Sequence, residues 1–330
     1  MNESSVLFEK VFGCLIGGLI GDAMGAPVEG KTYKEIEKAF GEVSDFEGEG
    51  TDDSAIKLIL CEAIIENNGY VTADEFAQAF LKNKEKYYKL FYIPVRNMFH
   101  KIESKLSLPV YAGLGNMHSS SSAMSISPMG IINACNPRQA AIETFDVAGL
   151  IHAGDSGFCR DAACAMAAAV AEAMKLNATV ESVLEASTAY LHKTSSAIMI
   201  DHINETLEMA KSAGNYASFR EEFYKTRLRD IISDSRETVP CVLALFHLAK
   251  GDPVRAIIYG ANFGRDADTI GTMVGALAGA FKGVNGLKRE WVDKVVKGAP
   301  AQKELAKKLM EIVKRKTLAY KENIAMFEQL

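Results

Sequence analysis

Apolar residues recur at three- and four-residue spacing along most of the chain, with good helix formers between them, which is the period of one-sided α-helices. The spacing predicts helices over Ala55–Asn67, Ala73–Asn83, Asp161–Leu176, Val180–His192, Ile200–Ser212, Val239–Lys250, Pro253–Asn262 and Lys303–Phe327. Alternating segments of strand type are few, and no strand–helix repeat announces a parallel sheet. A polar, glycine-containing loop from about Gly113 to Ser127 holds the one low-complexity patch, Ser119–Ser122. No linker divides the chain. The reading is all-α: one domain over residues 1–330, an orthogonal bundle of ten or more helices.

Two interruptions of the apolar pattern are themselves periodic. Gly13, Gly17, Gly21 and Gly25 are spaced by four, and so are Gly271, Gly275, Gly279 and Gly283. That spacing keeps residues on one helix face. Each interior glycine costs about 1 kcal/mol against alanine, so something must offset the loss. Close backbone approach between two packed helices is the natural candidate, while the outer members Gly25 and Gly283 also suit caps or turns.

Composition narrows the function classes. Lys plus Arg number 37 against 42 Asp plus Glu, a net charge of −5 that speaks against a nucleic-acid coat. The start MNESSVLFEK does not read as a signal peptide. The apolar stretches Val11–Gly21 and Thr272–Phe281 fall short of the roughly 20 residues that span a bilayer. Six cysteines form no C-x-x-C pair and sit mostly in apolar helical patterns, as reduced thiols do. The expectation is a soluble, cytoplasmic protein.

Beside the glycine stripes lie three acidic segments: Gly21-Asp22 through Glu29, Gly50-Thr51-Asp52-Asp53-Ser54, and Gly264-Arg265-Asp266-Ala267-Asp268-Thr269. The second and third look like helix N-termini, with acids in the positive first turn, and capping explains either one alone. Together they offer four carboxylates and two threonine hydroxyls, an all-oxygen set suited to Mg²⁺. Such clusters can hold two ions about 3.5–4 Å apart. The six histidines show no zinc spacing, no G-x-S-x-G elbow exists, and the glycines at 17, 18 and 21 lack the flanks of a dinucleotide fold.

The segments GCLIGGLIGDAMGAPVEG, GTDDSAIKLILCEAI and NFGRDADTIGTMVGALAGAFKG, in that order, resemble the ADP-ribosylglycohydrolase family over about Phe12 to Trp291. The resemblance implies a binuclear Mg²⁺ centre, or Mn²⁺ in its place, at the base of a cleft. Thr51, Asp52 and Asp53 would bind metal from one helix mouth, and Asp266, Asp268 and Thr269 from the other. Glu29 matches the family's glutamate near the scissile bond. The implied reaction is cleavage at C1 of the distal ribose of an ADP-ribose conjugate, with an arginine, serine or acetyl acceptor. Catalysis would then fall to Glu29 as acid/base, with Asp52 or Asp266 orienting water.

This chain departs from the family's G-N-G-x-x-M-R segment, reading Ser120-Ser121-Ser122-Ala123-Met124-Ser125. Serines replace the turn, and Ser125 replaces the arginine, which weakens the case for a pyrophosphate ligand. Ser121 and Ser122 remain candidate substrate contacts through hydroxyls and backbone N–H groups. His152 is a substrate contact or a structural histidine. Arg265, after Gly264, reaches a phosphate or neutralises the acids. Phe158 stacks on adenine or joins the core. An N-glycosidase for a smaller riboside and a non-catalytic, crystallin-like member are the competing readings.

Overall fold

A computed structural model describes residues 5–48 and 50–330, which form eighteen α-helices and no strand. The predicted helices are present with ends moved by a few residues: Asp52–Glu66, Ala73–Lys82, Gly157–Ala173, Val180–Ala189, Ala197–Ala213, Ser235–Leu248, Pro253–Phe263 and Ala301–Phe327. Several starts are capped as the side chains dictate: Thr72 and Thr179 close capping boxes, and Asp234 and Asp252 accept from first-turn N–H groups. One apolar cluster runs through the bundle from Phe8 to Val313, with a small satellite of Val28, Ile36 and Ala267.

Two helices form its axis, Val6–Gly25 and Ala267–Lys282, running antiparallel with their glycine stripes face to face. A Cβ built on Gly17 would lie 2.2 Å from the carbonyl oxygen of Gly275, and one on Gly21 only 1.9 Å from that of Gly271. Gly13 meets Gly279 in the same way at 2.6 Å, and Gly25 meets Ala267 at 2.2 Å. The lost helix propensity is thus exchanged for backbone-to-backbone contact that no side chain permits. Gly25 belongs to this contact, whereas Gly283 ends its helix at φ +77°. The segment Val6–Val28 is long and apolar enough to cross a membrane, with mean hydropathy 1.6, but 89% of that window is buried inside the bundle. Its apolar character serves the core.

The far end of this helix pair is held by a buried charge. Lys10 donates all three ammonium protons to main-chain carbonyls: Ala173 at 2.8 Å, Ala280 at 3.1 Å and Phe281 at 2.8 Å. These carbonyls end the helices Gly157–Ala173 and Ala267–Lys282, where the helix dipole favours a cation. Burial lowers the Lys10 pKa, yet every proton has an acceptor. Lys10→Met should cost about 2–3 kcal/mol, since three buried acceptors lose their donor. A urea midpoint unchanged from the parent would refute this account.

Candidate metal centre

The opposite end of the glycine pair carries the carboxylates. Asp22 closes the first stripe and is fully buried. Its Oδ1 accepts from the Thr51 N–H at 2.9 Å and its Oδ2 from the Ser54 N–H at 3.0 Å. One helix therefore caps the N-terminus of another, satisfying first-turn donors that have no partner of their own. Gly50 allows this at φ +88°, since a Cβ there would sit 2.6 Å from Asp22 Oδ2. Thr51 then caps its own helix by accepting from the Asp53 N–H.

From the other side, the helix beginning at Ala267 brings Asp266, Asp268 and Thr269 to the same point. The Asp53 Oδ2 accepts from the hydroxyls of both Thr51 and Thr269 at 3.3 Å, while Thr51 Oγ1 also approaches Asp268 Oδ2 at 3.4 Å. The two helix mouths are thus joined through Asp53. Glu29 completes the ring: carboxylate oxygens of Glu29, Asp266 and Asp268 lie within 4.8 Å of one another. The Glu29 loop is clamped to the second mouth, because Gly30 N–H donates to Arg265 O and Arg265 N–H to Lys31 O, both at 2.7 Å.

The electrostatics match a cation site. Burial first, then the mutual repulsion of Asp22, Asp53, Asp266 and Asp268, pushes Asp53 and Asp268 well above the usual carboxylate range. Burial and like charges push Asp52 to about 7, and burial with the Glu29 and Asp52 charges does the same for Asp266. Glu29, at the exposed lip, is also raised, by lost solvent and the Asp22 charge. Buried Asp53 Oδ1 and Asp268 Oδ1 have no hydrogen-bond partner among the described residues. An oxygen-only donor set with orphaned acceptors fits a hard divalent cation.

The other candidates take different places. Ser120 donates to Asp266 Oδ2 at 3.0 Å, and Ser119–Ser122 are all buried. Ser121 is tied to Ser119, whose hydroxyl donates to its Oγ at 2.9 Å and accepts from its N–H at 3.2 Å. His152 is fully buried, so in this structure it supports the loop and presents no ring atom to substrate. Its Nε2 lies 3.2 Å from Met117 O, which fixes that nitrogen as the donor and leaves Nδ1 to accept from Ser122. Burial lowers the His152 pKa to about 3, consistent with a neutral ring.

Arg265 hydrogen-bonds neither acid beside it. Its guanidinium grips buried Glu237, Nε to Oε1 at 2.7 Å and an Nη to Oε2 at 2.9 Å, and also donates to Arg229 O. Gly264 is required by packing: at φ +79°, a Cβ would lie 2.4 Å from Lys31 O. Phe158 is buried, with His118 edge-on at 4.6 Å and the Arg236 guanidinium 4.5 Å from its ring centroid.

Three groups escaped the sequence reading: Asp22 as a cap, Ser120 as an Asp266 partner, and Lys57. The last stands one turn beyond Asp53, almost wholly buried, and its ammonium has no hydrogen-bond partner among the described residues. Burial lowers its pKa against the opposing pull of Asp22. A lysine inside the run AIKLILCEAII was the available signal.

Known proteins resemble this chain over most of its length. A relative in Escherichia coli, the uncharacterized protein YegU, is 27% identical, covering 84% of this chain and 89% of its own. An uncharacterized protein of Archaeoglobus fulgidus is 28% identical over 92% of this chain and 97% of its own. The human ADP-ribosylhydrolase ARH3 is 24% identical over 84% and 87%. A solved structure described as an ADP-ribosylglycohydrolase-related protein complex shares the fold, with a TM-score of 0.70 at 20% identity, covering 93% of this chain and 99% of that one. The family model for ADP-ribosylglycohydrolase matches residues 3–319, and the chain belongs to that family.

Proposed function

We propose that this protein is a Mg²⁺-dependent, cytoplasmic, single-domain hydrolase that cleaves the C1 glycosidic bond of ADP-ribose conjugates and releases ADP-ribose. The observation that carries the reading is the convergence of Glu29, Asp266 and Asp268, with Thr51, Asp53 and Thr269 bridging the two helix mouths. Thr51, Asp52, Asp53, Asp266, Asp268 and Thr269 would hold two Mg²⁺, with Mn²⁺ as a substitute. Bound there, the ions would supply positive charge for the ribose hydroxyls and acidify a water.

Glu29 is suited to the acid/base role, because its raised pKa lets it carry a proton to the leaving group as an oxocarbenium-like state develops. Asp52 or Asp266 would serve as the acceptor that orients the attacking water. The free thiols, five of the six cysteines being buried, agree with a reducing compartment.

A second reading, hydrolysis of a smaller N-riboside, is favoured by the serine loop, whose hydroxyls are spent on one another, on His152 and on Asp266. One panel separates the two: ADP-ribosylated arginine and serine peptides, O-acetyl-ADP-ribose and modified nucleosides, each with and without Mg²⁺. Release of ADP-ribose supports the first reading, free ribose the second, and no turnover a non-catalytic role. Asp266→Ala and Asp268→Ala should each abolish metal binding and turnover. Full Mg²⁺-dependent activity in either variant would sink the metal assignment.

A further inference from the structure

Lys57 carries an amine into the core behind the carboxylate cluster, and no step of the proposed hydrolysis calls on it. Its side chain is 1% exposed, and its ammonium has no hydrogen-bond partner among the described residues. A Cβ added to Gly18 would stand 3.0 Å from Lys57 Nζ and 3.3 Å from Ala276 Cβ. The ammonium thus lies where the helices Val6–Gly25, Asp52–Glu66 and Ala267–Lys282 meet. Gly18 is not one of the glycines spaced by four, and the room it leaves is next to the ammonium.

The residues one turn away along the first two of these helices differ in kind. Toward the cluster stand Asp22, four residues after Gly18, and Asp53, four residues before Lys57. Away from it, at the same spacing, stand Cys14 and Cys61. Side chains on a helix lean toward its N-terminus, so Asp22 leans over Gly18 and Lys57 leans back toward Asp53. The Asp22 Oδ2 also accepts from the Ser54 N–H at 3.0 Å, in the turn that Lys57 leans over. Burial pushes both thiols up to about 12, which leaves them neutral near neutral pH. Burial lowers the Lys57 pKa, and the Asp22 charge is the largest influence against that. The anions that face the ammonium are therefore carboxylates of the cluster. With no hydrogen bond between them, it acts on them through space, and buried charges are weakly screened.

We propose that Lys57 is an internal counter-cation of the carboxylate cluster, opposing a divalent ion bound there and so setting how tightly the centre holds it. The inference rests on the metal reading of the cluster. Two like charges in one region of low dielectric repel, and the repulsion grows with the charge of the ion. Lys57 hydrogen-bonds to none of the groups that would hold the ion, so its part is electrostatic and not that of a ligand. The same oxygens without the ammonium behind them would bind the ion more tightly.

Two substitutions remove the charge: Lys57→Met keeps an unbranched apolar stem, and Lys57→Gln keeps a polar tip. Calorimetric titration of the full metal-free chain with Mg²⁺ compares each with the parent near neutral pH. Both variants should bind Mg²⁺ about tenfold more tightly. Tb³⁺, titrated in the same way, should gain more, roughly thirtyfold, because the repulsion scales with ionic charge. A lysine needed only for packing would, when replaced, weaken both ions alike, so the direction and the charge dependence separate the two roles. Far-ultraviolet circular dichroism and urea unfolding check that the variants are folded, and either one suffices if the other fails to fold. Unchanged or weaker Mg²⁺ binding in a folded variant, or an equal gain for the two ions, would overturn the inference and leave the metal reading standing. A parent chain that binds neither ion would overturn both.

Discussion

Replacing Gly21 with alanine is expected to destabilise the protein by about 4 kcal/mol or more and to erase its thermal response to Mg²⁺. The added methyl would stand 1.9 Å from the Gly271 carbonyl oxygen and 2.3 Å from its carbon. Both are main-chain atoms of a buried helix, so no side chain can swing aside. Relief requires the two central helices to part by more than an ångström. Because each helix is sheathed in core residues, that movement opens gaps along its whole length. Gly21 directly precedes Asp22, and Gly271 follows Thr269 by two residues, so the same movement separates the two halves of the carboxylate cluster.

Gly157→Ala is the matched control. That residue has helical backbone angles, φ −57° and ψ −32°, and its Cβ would meet nothing nearer than an Arg160 nitrogen at 3.8 Å. Alanine there should be neutral or stabilise by about 0.5 kcal/mol. Denaturant unfolding of both variants, repeated with and without Mg²⁺, distinguishes packing from propensity. If Gly21→Ala behaved like Gly157→Ala, the close helix contact would be refuted as the reason for the stripe.

Residues whose role is set by their own helix were legible, and those whose role is set by a partner far along the chain were not. Asp52, Asp53 and the Asp266–Thr269 segment announce helix mouths through capping chemistry. Glycines at a spacing of four announce a close contact without naming the partner, although two stripes of equal length invite the pairing that is found. The Asp22 cap on Thr51 and Ser54, the Ser120 bond to Asp266 and the Arg265 grip on Glu237 carry no period or local motif. Arg265 shows the consequence: beside two aspartates in sequence, it is drawn to a glutamate 28 residues earlier. Helices that bury little of their surface also left a weak trace, as at Tyr33–Phe40, where only Ile36 is buried.

Asp268→Asn is expected to make the metal-free protein more stable above about pH 7 while removing both its response to Mg²⁺ and its turnover. The cluster concentrates Asp22, Asp52, Asp53, Asp266, Asp268 and Glu29 at one end of the bundle, and each has a carboxyl pKa raised in the folded state. For Asp52 and Asp266 the folded value is about 7, against about 4 for an unfolded chain. Between those values the folded state holds protons that the unfolded state has released. Stability of the metal-free protein therefore falls as pH rises through that window, by an amount on the order of several kcal/mol. The asparagine removes one of the repelling charges and should flatten that slope. Divalent cations act in the opposite sense, since they bind the ionised carboxylates that the fold otherwise penalises. A wild-type protein with free Mg²⁺ at about a thousand times its dissociation constant should gain about 4 kcal/mol near pH 7.5. Near pH 5, where protons compete for the same oxygens, it should gain little. Scanning calorimetry of parent and variant at the two pH values, with and without millimolar Mg²⁺, tests each part. A variant no more stable than the parent in the absence of metal would show that the charges are not in conflict. A Mg²⁺ response that survives the substitution would show that Asp268 does not hold the ion.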